Sequence, residues 1–187
     1  MRARIAGDLP CYVTLSCSRV LIEATQLQAA DLAAAHGFDA VEPSVPYLMG
    51  LSPGEAEAVG RSLADRSIRF GPANFPFSIS GPESEFRAGL ERLPAIAART
   101  ASLGVPGFIR WLMPHSSTLT YRHHFRLMVQ RVRECAGILA AHNQRLGLEY
   151  LGPMTAWASG RFTFVHTLVE LAELIEATDA SNVGFQL

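Results

Sequence analysis

Residues 14–25 read "TLSCSRVLIEAT", twelve positions without a glycine. They follow and overlap the apolar run "CYVTLSC" around Val13, which has the alternation of a β-strand. A doubly wound nucleotide-binding sheet carries glycines there, because the backbone after its first strand must approach a phosphate at the start of the next helix. The one glycine-rich segment of that kind, "GVPG" at 104–107, precedes a strand-like run instead of following one.

Outward from this stretch, five more strand-like runs follow: "FDAVEP" near Val41, "SIRFGPA" near Phe70, "GFIRWLM" near Ile109, "RLGLEYL" near Leu148 and "NVGFQL" near Phe185. The spacing, 28 to 39 residues, is that of one strand, one crossover helix and two loops. The intervening segments carry helix punctuation. Ser52, Pro53 and Glu55 combine an N-cap, a first-turn proline and a capping-box acid, and Ala56, Val59 and Leu63 then mark one face. Met128, Val132, Cys135, Ala136 and Leu139 keep the helical period between Thr120 and Asn143, as do Leu168, Leu171, Ala172 and Ile175 before Asp179. The Ala-rich run 26–36 closes on Gly37; the segment 83–103 closes on Gly104 and holds Pro94, which is expected to kink or divide it. The fold class expected is α/β, a single (β/α) TIM-type barrel domain over residues 1–187 with about six of eight βα units, its strands parallel and in sequential order.

Composition narrows the function. The 187 residues are 49% hydrophobic and 18% charged, and sixteen basic against seventeen acidic side chains give a net charge of -1. No basic field exists to collect phosphate backbones, so nucleic acid is not an expected partner. Asp8 and Pro10 interrupt the place where a signal peptide needs an apolar core, and no run reaches transmembrane length; a cytoplasmic protein without a membrane partner is expected. Cys11, Cys17 and Cys135 match no zinc spacing and read as buried reduced thiols.

In a (βα) barrel the reactive groups stand at the C-terminal ends of the strands. Those ends offer Glu42 in "VEP", Asn74 in "GPANFP", Arg110 and His115 in "IRWLMPH", and Glu149 in "GLEYLGP". Glu149 stands out because its strand is otherwise apolar, and a carboxylate there is costly unless it is paired or metal-bound. Its alternatives are a functional carboxylate or a structural ion pair, for instance with Arg110. Glu42 is a second inward carboxylate or a solvated strand end. Asn74 orients a substrate hydroxyl or holds its own turn, and His115 is a binding or acid/base group or an exposed loop residue. His123 and His124 are adjacent, so they leave the helix on different sides and make no i, i+4 metal pair. His36, His142 and His166 read as helix-end or surface residues.

"AAAHGFDAVEP", "LGLEYLGP" and above all "IEATDASNVGFQL" resemble the second, fifth and sixth strand regions of the xylose-isomerase-like sugar phosphate isomerase/epimerase superfamily, which includes inosose dehydratase, hydroxypyruvate isomerase and tagatose/psicose epimerases. The resemblance covers essentially the whole chain. It implies a (β/α)₈ barrel whose divalent metal is held by a Glu ending strand five, an Asp ending strand six, and a His and a Glu from strands seven and eight. Glu149 matches the first of these. The implied metal-binding Asp follows a "VGFQL"-like run, so residues 1–187 are expected to be an N-terminal six-strand portion that holds one ligand. The implied chemistry is proton transfer or dehydration on a small keto-sugar or polyol, with Mn²⁺ or Mg²⁺ as cofactor and Glu149 as ligand and base. A related metal-dependent endonuclease would need several strand-end histidines and a basic face, neither of which is present. The rival from another class is a non-catalytic barrel-derived binding or assembly protein, or an inactive fragment. Open barrel edges are expected to favour self-association or a homo-oligomer.

Overall fold

The structure, a computed structural model, describes residues 12–186. Cys11, the N-terminal segment and Leu187 lie outside the described residues. The chain forms two compact units that meet at Gly71 and Pro72.

The first unit contains β1 (Thr14–Leu15), α1 (Gln26–Ala35), β2 (Ala40–Val41), α2 (Val45–Gly50), α3 (Pro53–Asp65) and β3 (Arg69–Phe70). Its strands are parallel in the order β1-β2-β3, with Thr14 opposite Ala40 and Ala40 opposite Arg69. Both long helices start on capping boxes, Thr25 with Gln28 and Ser52 with Glu55, each cap satisfying amide donors that the first turn leaves free. Ala56, Val59 and Leu63 are buried as the period requires.

The second unit contains β4 (Ala73–Asn74), α4 (Glu83–Ser102), β5 (Gly107–Trp111), β6 (His115–Ser116), α5 (Tyr121–Ala140), β7 (Arg145–Glu149), α6 (Met154–Trp157), β8 (Phe162–Thr163), α7 (Leu168–Thr178) and β9 (Val183–Phe185). Its main sheet is parallel in the order β4-β5-β7-β9, and β6 pairs antiparallel with β8. In each unit neighbours in the sheet follow one another around the chain, with no reversal of the kind a doubly wound sheet makes about its first strand.

The third strand-like run is realised as β3 and β4, one piece in each unit. The break falls on Gly71-Pro72. A Cβ on Gly71 would stand 2.6 Å from the Thr14 side chain, so only glycine lets the chain pass there, and Pro72 has no amide hydrogen for a ladder. Pro94 does not divide α4, which is continuous from Glu83 to Ser102. Pro94 is exposed while Phe86, Gly89, Leu93 and Ala97 make the buried seam, so the carbonyl the proline leaves unbonded lies toward water.

The core of the second unit lies between the sheet and its helices. Phe108, Leu146 and Leu148 are buried against α5 residues that include Met128, Val132, Cys135, Ala136 and Leu139, the helical stripe read from the sequence. On α7 the buried residues are Leu171, Leu174 and Thr178, while Leu168, at the first turn, is 47% exposed; the stripe is rotated from the one expected. Cys135 is buried and Cys17 only half-buried; burial raises the pKa of both thiols, that of Cys135 to about 12. Both are therefore protonated at neutral pH.

Candidate functional site

Strand parity decides which side chains share a face of the second unit's sheet. Trp111 is in register with Glu149, Arg110 with Leu148, Ile109 with Gly147, and Asn74 with Ile109. Residues in register point to the same side, and successive residues to opposite sides. One face therefore carries Phe108, Leu146 and Leu148, buried under the helices; the other carries Asn74, Ile109, Trp111, Gly147, Gly184 and Glu149. Gln186 joins the second set, because its amide donates to the Leu148 carbonyl at 2.8 Å and its Cβ is 3.5 Å from where a side chain on Gly147 would begin.

Glu149 closes β7 at its C-terminal end and is half-buried. Its carbonyl accepts from the Leu112 amide at 2.8 Å, which fixes the backbone. Its carboxylate has no hydrogen bond or ion pair among the described residues. The Arg110 pair that the spacing allows is not made, since Arg110 stands on the opposite face; its guanidinium lies 5.0 Å from the Trp111 ring centre, and burial lowers its pKa. Trp111 is 36% exposed, a large aromatic surface beside the free carboxylate. Asn74 is exposed one layer below, and Gly147 and Gly184 contribute no side chain to that layer.

His115 begins β6, three residues beyond β5, and pairs with Thr163 of β8. Its ring packs so closely on Gly160 that a Cβ there would lie 2.2 Å from Nδ1. His166, read from sequence as a surface residue, is half-buried: its Nδ1 is 2.8 Å from the Phe164 carbonyl and 3.2 Å from a Glu170 carboxylate oxygen, and its ring faces Trp157. Glu42 belongs to the first unit, just past β2, where its amide donates to the Leu15 carbonyl and its carbonyl accepts from Gln26 Nε2 at 3.2 Å. The other end of the Gln26 amide accepts from the Ser44 amide at 2.7 Å, so one buried side chain holds the whole turn. A groove of about 330 Å³ lined by Glu23, Ala24, Gln28, Asp31 and Leu32 also lies in that unit and contains none of the strand-end residues.

The structure thus brings Glu149, Asn74 and the unforeseen pair Trp111 and Gln186 to one sheet face, and places Arg110 on the other. Trp111 escaped sequence reading because a tryptophan in an apolar run reads as core; only the register with Glu149 marks it. A hard divalent cation takes about six oxygen ligands. Glu149 fits one such position, being unpartnered in an apolar strand, but among the described residues no three His, Cys, Asp or Glu side chains stand together. No helix among the described residues is long and apolar enough to cross a membrane.

Residues 30–187 match the family described as xylose isomerase-like TIM barrel, and the chain belongs to it. Its architecture is accordingly the α/β TIM-barrel type. Among solved structures it is similar to a xylose isomerase domain protein from Alicyclobacillus acidocaldarius, with 28% identity and a TM-score of 0.72 over 87% of this chain and 58% of the other. It is also similar in fold to the zinc-bound IOLI protein (16% identity, TM-score 0.72, 94% and 62% covered) and to a D-psicose 3-epimerase solved with D-fructose (17%, 0.67, 86% and 57%). The chain spans about three-fifths of the length of these relatives. No curated protein matches it by sequence.

Proposed function

We propose, taking membership of the xylose isomerase-like TIM-barrel family as the premise, that this chain forms part of a cytoplasmic sugar isomerase or epimerase acting on a small keto-sugar or polyol. The observation that supports the reading most is the Glu149 carboxylate: half-buried, without a partner among the described residues, and beside an exposed tryptophan at the end of a parallel strand. A carboxylate so placed can take the proton from a carbon next to a carbonyl, because no donor among the described residues bonds it. The Trp111 face turned from the Arg110 guanidinium can lie against the C–H side of a sugar ring or chain, and Asn74 can bond a hydroxyl. A divalent cation such as Mn²⁺ or Mg²⁺, were Glu149 one of its ligands, would supply positive charge for an enediolate.

The test is calorimetry with Mn²⁺ together with ketose epimerisation assays on three proteins: residues 1–187, a chain extended by the remaining strands of the family barrel, and that extended chain with Glu149→Gln. The short chain is expected to bind Mn²⁺ weakly and to be inactive, the extended chain to bind and turn over, and the variant to lose both with its circular dichroism unchanged. Retained affinity and turnover in the variant would make Glu149 structural. An extended chain without activity would favour the non-catalytic binding or assembly reading. Sedimentation of the short chain checks the proposed self-association.

A further inference from the structure

We propose that the two-stranded β6–β8 ribbon is a strap across the C-terminal ends of β5 and β7, and that acid releases it by charging the buried imidazole of His124. The ribbon is topologically a strap: β6 arises from the loop that leaves β5 and β8 from the loop that leaves β7, the two strands that carry Trp111 and Glu149. Each of its strands is two residues long, and beyond them the Phe164 amide donates to the Pro114 carbonyl at 2.7 Å. So little ladder is insufficient to hold a segment down without side-chain packing.

That packing converges on His124 of α5. The His124 ring is 5% exposed and stacks on Phe164, which follows β8, with centroids 3.8 Å apart and planes 23° apart. Tyr121 covers the other part of Phe164 at 5.5 Å. His115 of β6 is near enough to act on His124 electrostatically, and the Nδ1 atoms of both histidines are buried without a hydrogen-bond partner. An imidazole with a buried, unpartnered Nδ1 in an aromatic contact favours the neutral form. The charged and titratable groups that reach it are Arg131, along the same face of α5, and His115 from the ribbon; both disfavour a second positive charge. Phe164 on the β8 side offers none. Tyr121 is a neutral phenol, its pKa raised by burial and by Glu170 and Glu173 of α7. His123, the neighbour in sequence, is exposed and bonds Thr120 instead. Burial first, then Arg131 and His115, lower the His124 pKa from 6.5 to about 4. With the ribbon lifted the ring regains water, so each unit of pH below 6.5 favours the lifted state until the buried ring itself titrates.

The claim that the strap covers a working site rests on the function proposed above; the release itself does not. The experiment is therefore amide hydrogen exchange on residues 1–187 as they stand, compared as protection factors at pH 7 and pH 4.5. The Phe164 amide is expected to lose more than ten-fold protection while the core amides of Leu146 and Leu148 keep theirs, and His124→Phe, which retains the stack, is expected to hold Phe164 protected at both pH values. Equal losses in ribbon and core, or the same ribbon loss in the variant, would overturn the proposal. If the variant does not fold, the wild-type His124 ring signal is followed by NMR: its titration midpoint must coincide with the opening of Phe164, and two separate midpoints overturn the proposal equally.

Discussion

Two charged groups are sunk in the second unit, and they are treated in opposite ways. Arg131 on α5 is 3% exposed; it donates to the carbonyls of Ile79 at 2.8 Å and Gly81 at 2.7 Å and to Glu83 at 2.7 Å, and it lies over the Phe86 ring. Arg87 extends the network from Glu83 to Glu134, tying α4 to α5. The carboxylate of Glu149, half-buried at the end of β7, has no partner among the described residues. Arg131 Nε is buried without a partner, but its two terminal nitrogens bond two segments, and a buried charge held in this way is a joint between them. One left without partners costs stability, and its retention is understandable where the carboxylate must meet something that is not part of the folded chain.

Breaking the bonded charge should have the largest effect. Arg131→Leu leaves the Ile79 and Gly81 carbonyls without a donor and frees the turn before α4, and a loss of about 3 to 4 kcal/mol is expected as a fall in the urea midpoint at unchanged slope. Glu83 is largely exposed, so its own loss of a partner adds little.

Acid should act next. Because the folded state lowers the pKa of His124 to about 4 from 6.5, the unfolded chain binds a proton that the folded chain refuses between these values. Stability is therefore complete above about pH 6.5, falls as pH drops toward 4, and levels off for this group below that. The gap corresponds to a loss of at most about 3 kcal/mol, read from urea titrations at pH 7 and pH 4 and absent in His124→Phe. A pH-independent difference between the two proteins would show that His124 is not the group responsible.

A neutral buried joint sharpens the comparison further. Gln144, 1% exposed, donates to Thr100 Oγ1 and to the Val105 carbonyl, both at 3.0 Å, and Gln144→Leu should cost about 1 to 2 kcal/mol by the same assay. The smallest effect, with the opposite sign, is expected at Glu149: Glu149→Gln should leave stability unchanged or raise it by less than about 1 kcal/mol at pH 7, since no partner is lost and a charge is removed. A loss above 2 kcal/mol there would place Glu149 with Arg131 as a structural charge and erase the contrast.

Part of this arrangement was legible beforehand. The strand-like runs coincide with β1, β2, β3 continued by β4, β5, β7 and β9, because each alternates or is apolar and helical segments separate them. The short elements α2, α6, β6 and β8 were not legible. Six residues or fewer carry no clear period, and β6 and β8 exist only because the loops after β5 and β7 meet. His124 shows the same limit: its adjacency to His123 says that the two leave the helix on different sides, but not that one of them will be covered by an aromatic ring from another loop.

What the sequence determined by itself was local and periodic. Capping boxes at Thr25, Ser52 and Thr167 fix where helices start because the donor and acceptor lie three residues apart, and the anomaly of Glu149 is visible because its neighbours in the strand are apolar. What only the tertiary structure decided was parity between strands. Nothing in the letters sets Trp111 opposite Glu149 and Arg110 opposite Leu148, because a shift of one residue in the pairing of β5 with β7 would exchange the faces. Burial of Phe108, Leu146 and Leu148 selects one register, and that selection places Arg110 on the face opposite the carboxylate, which has no partner among the described residues.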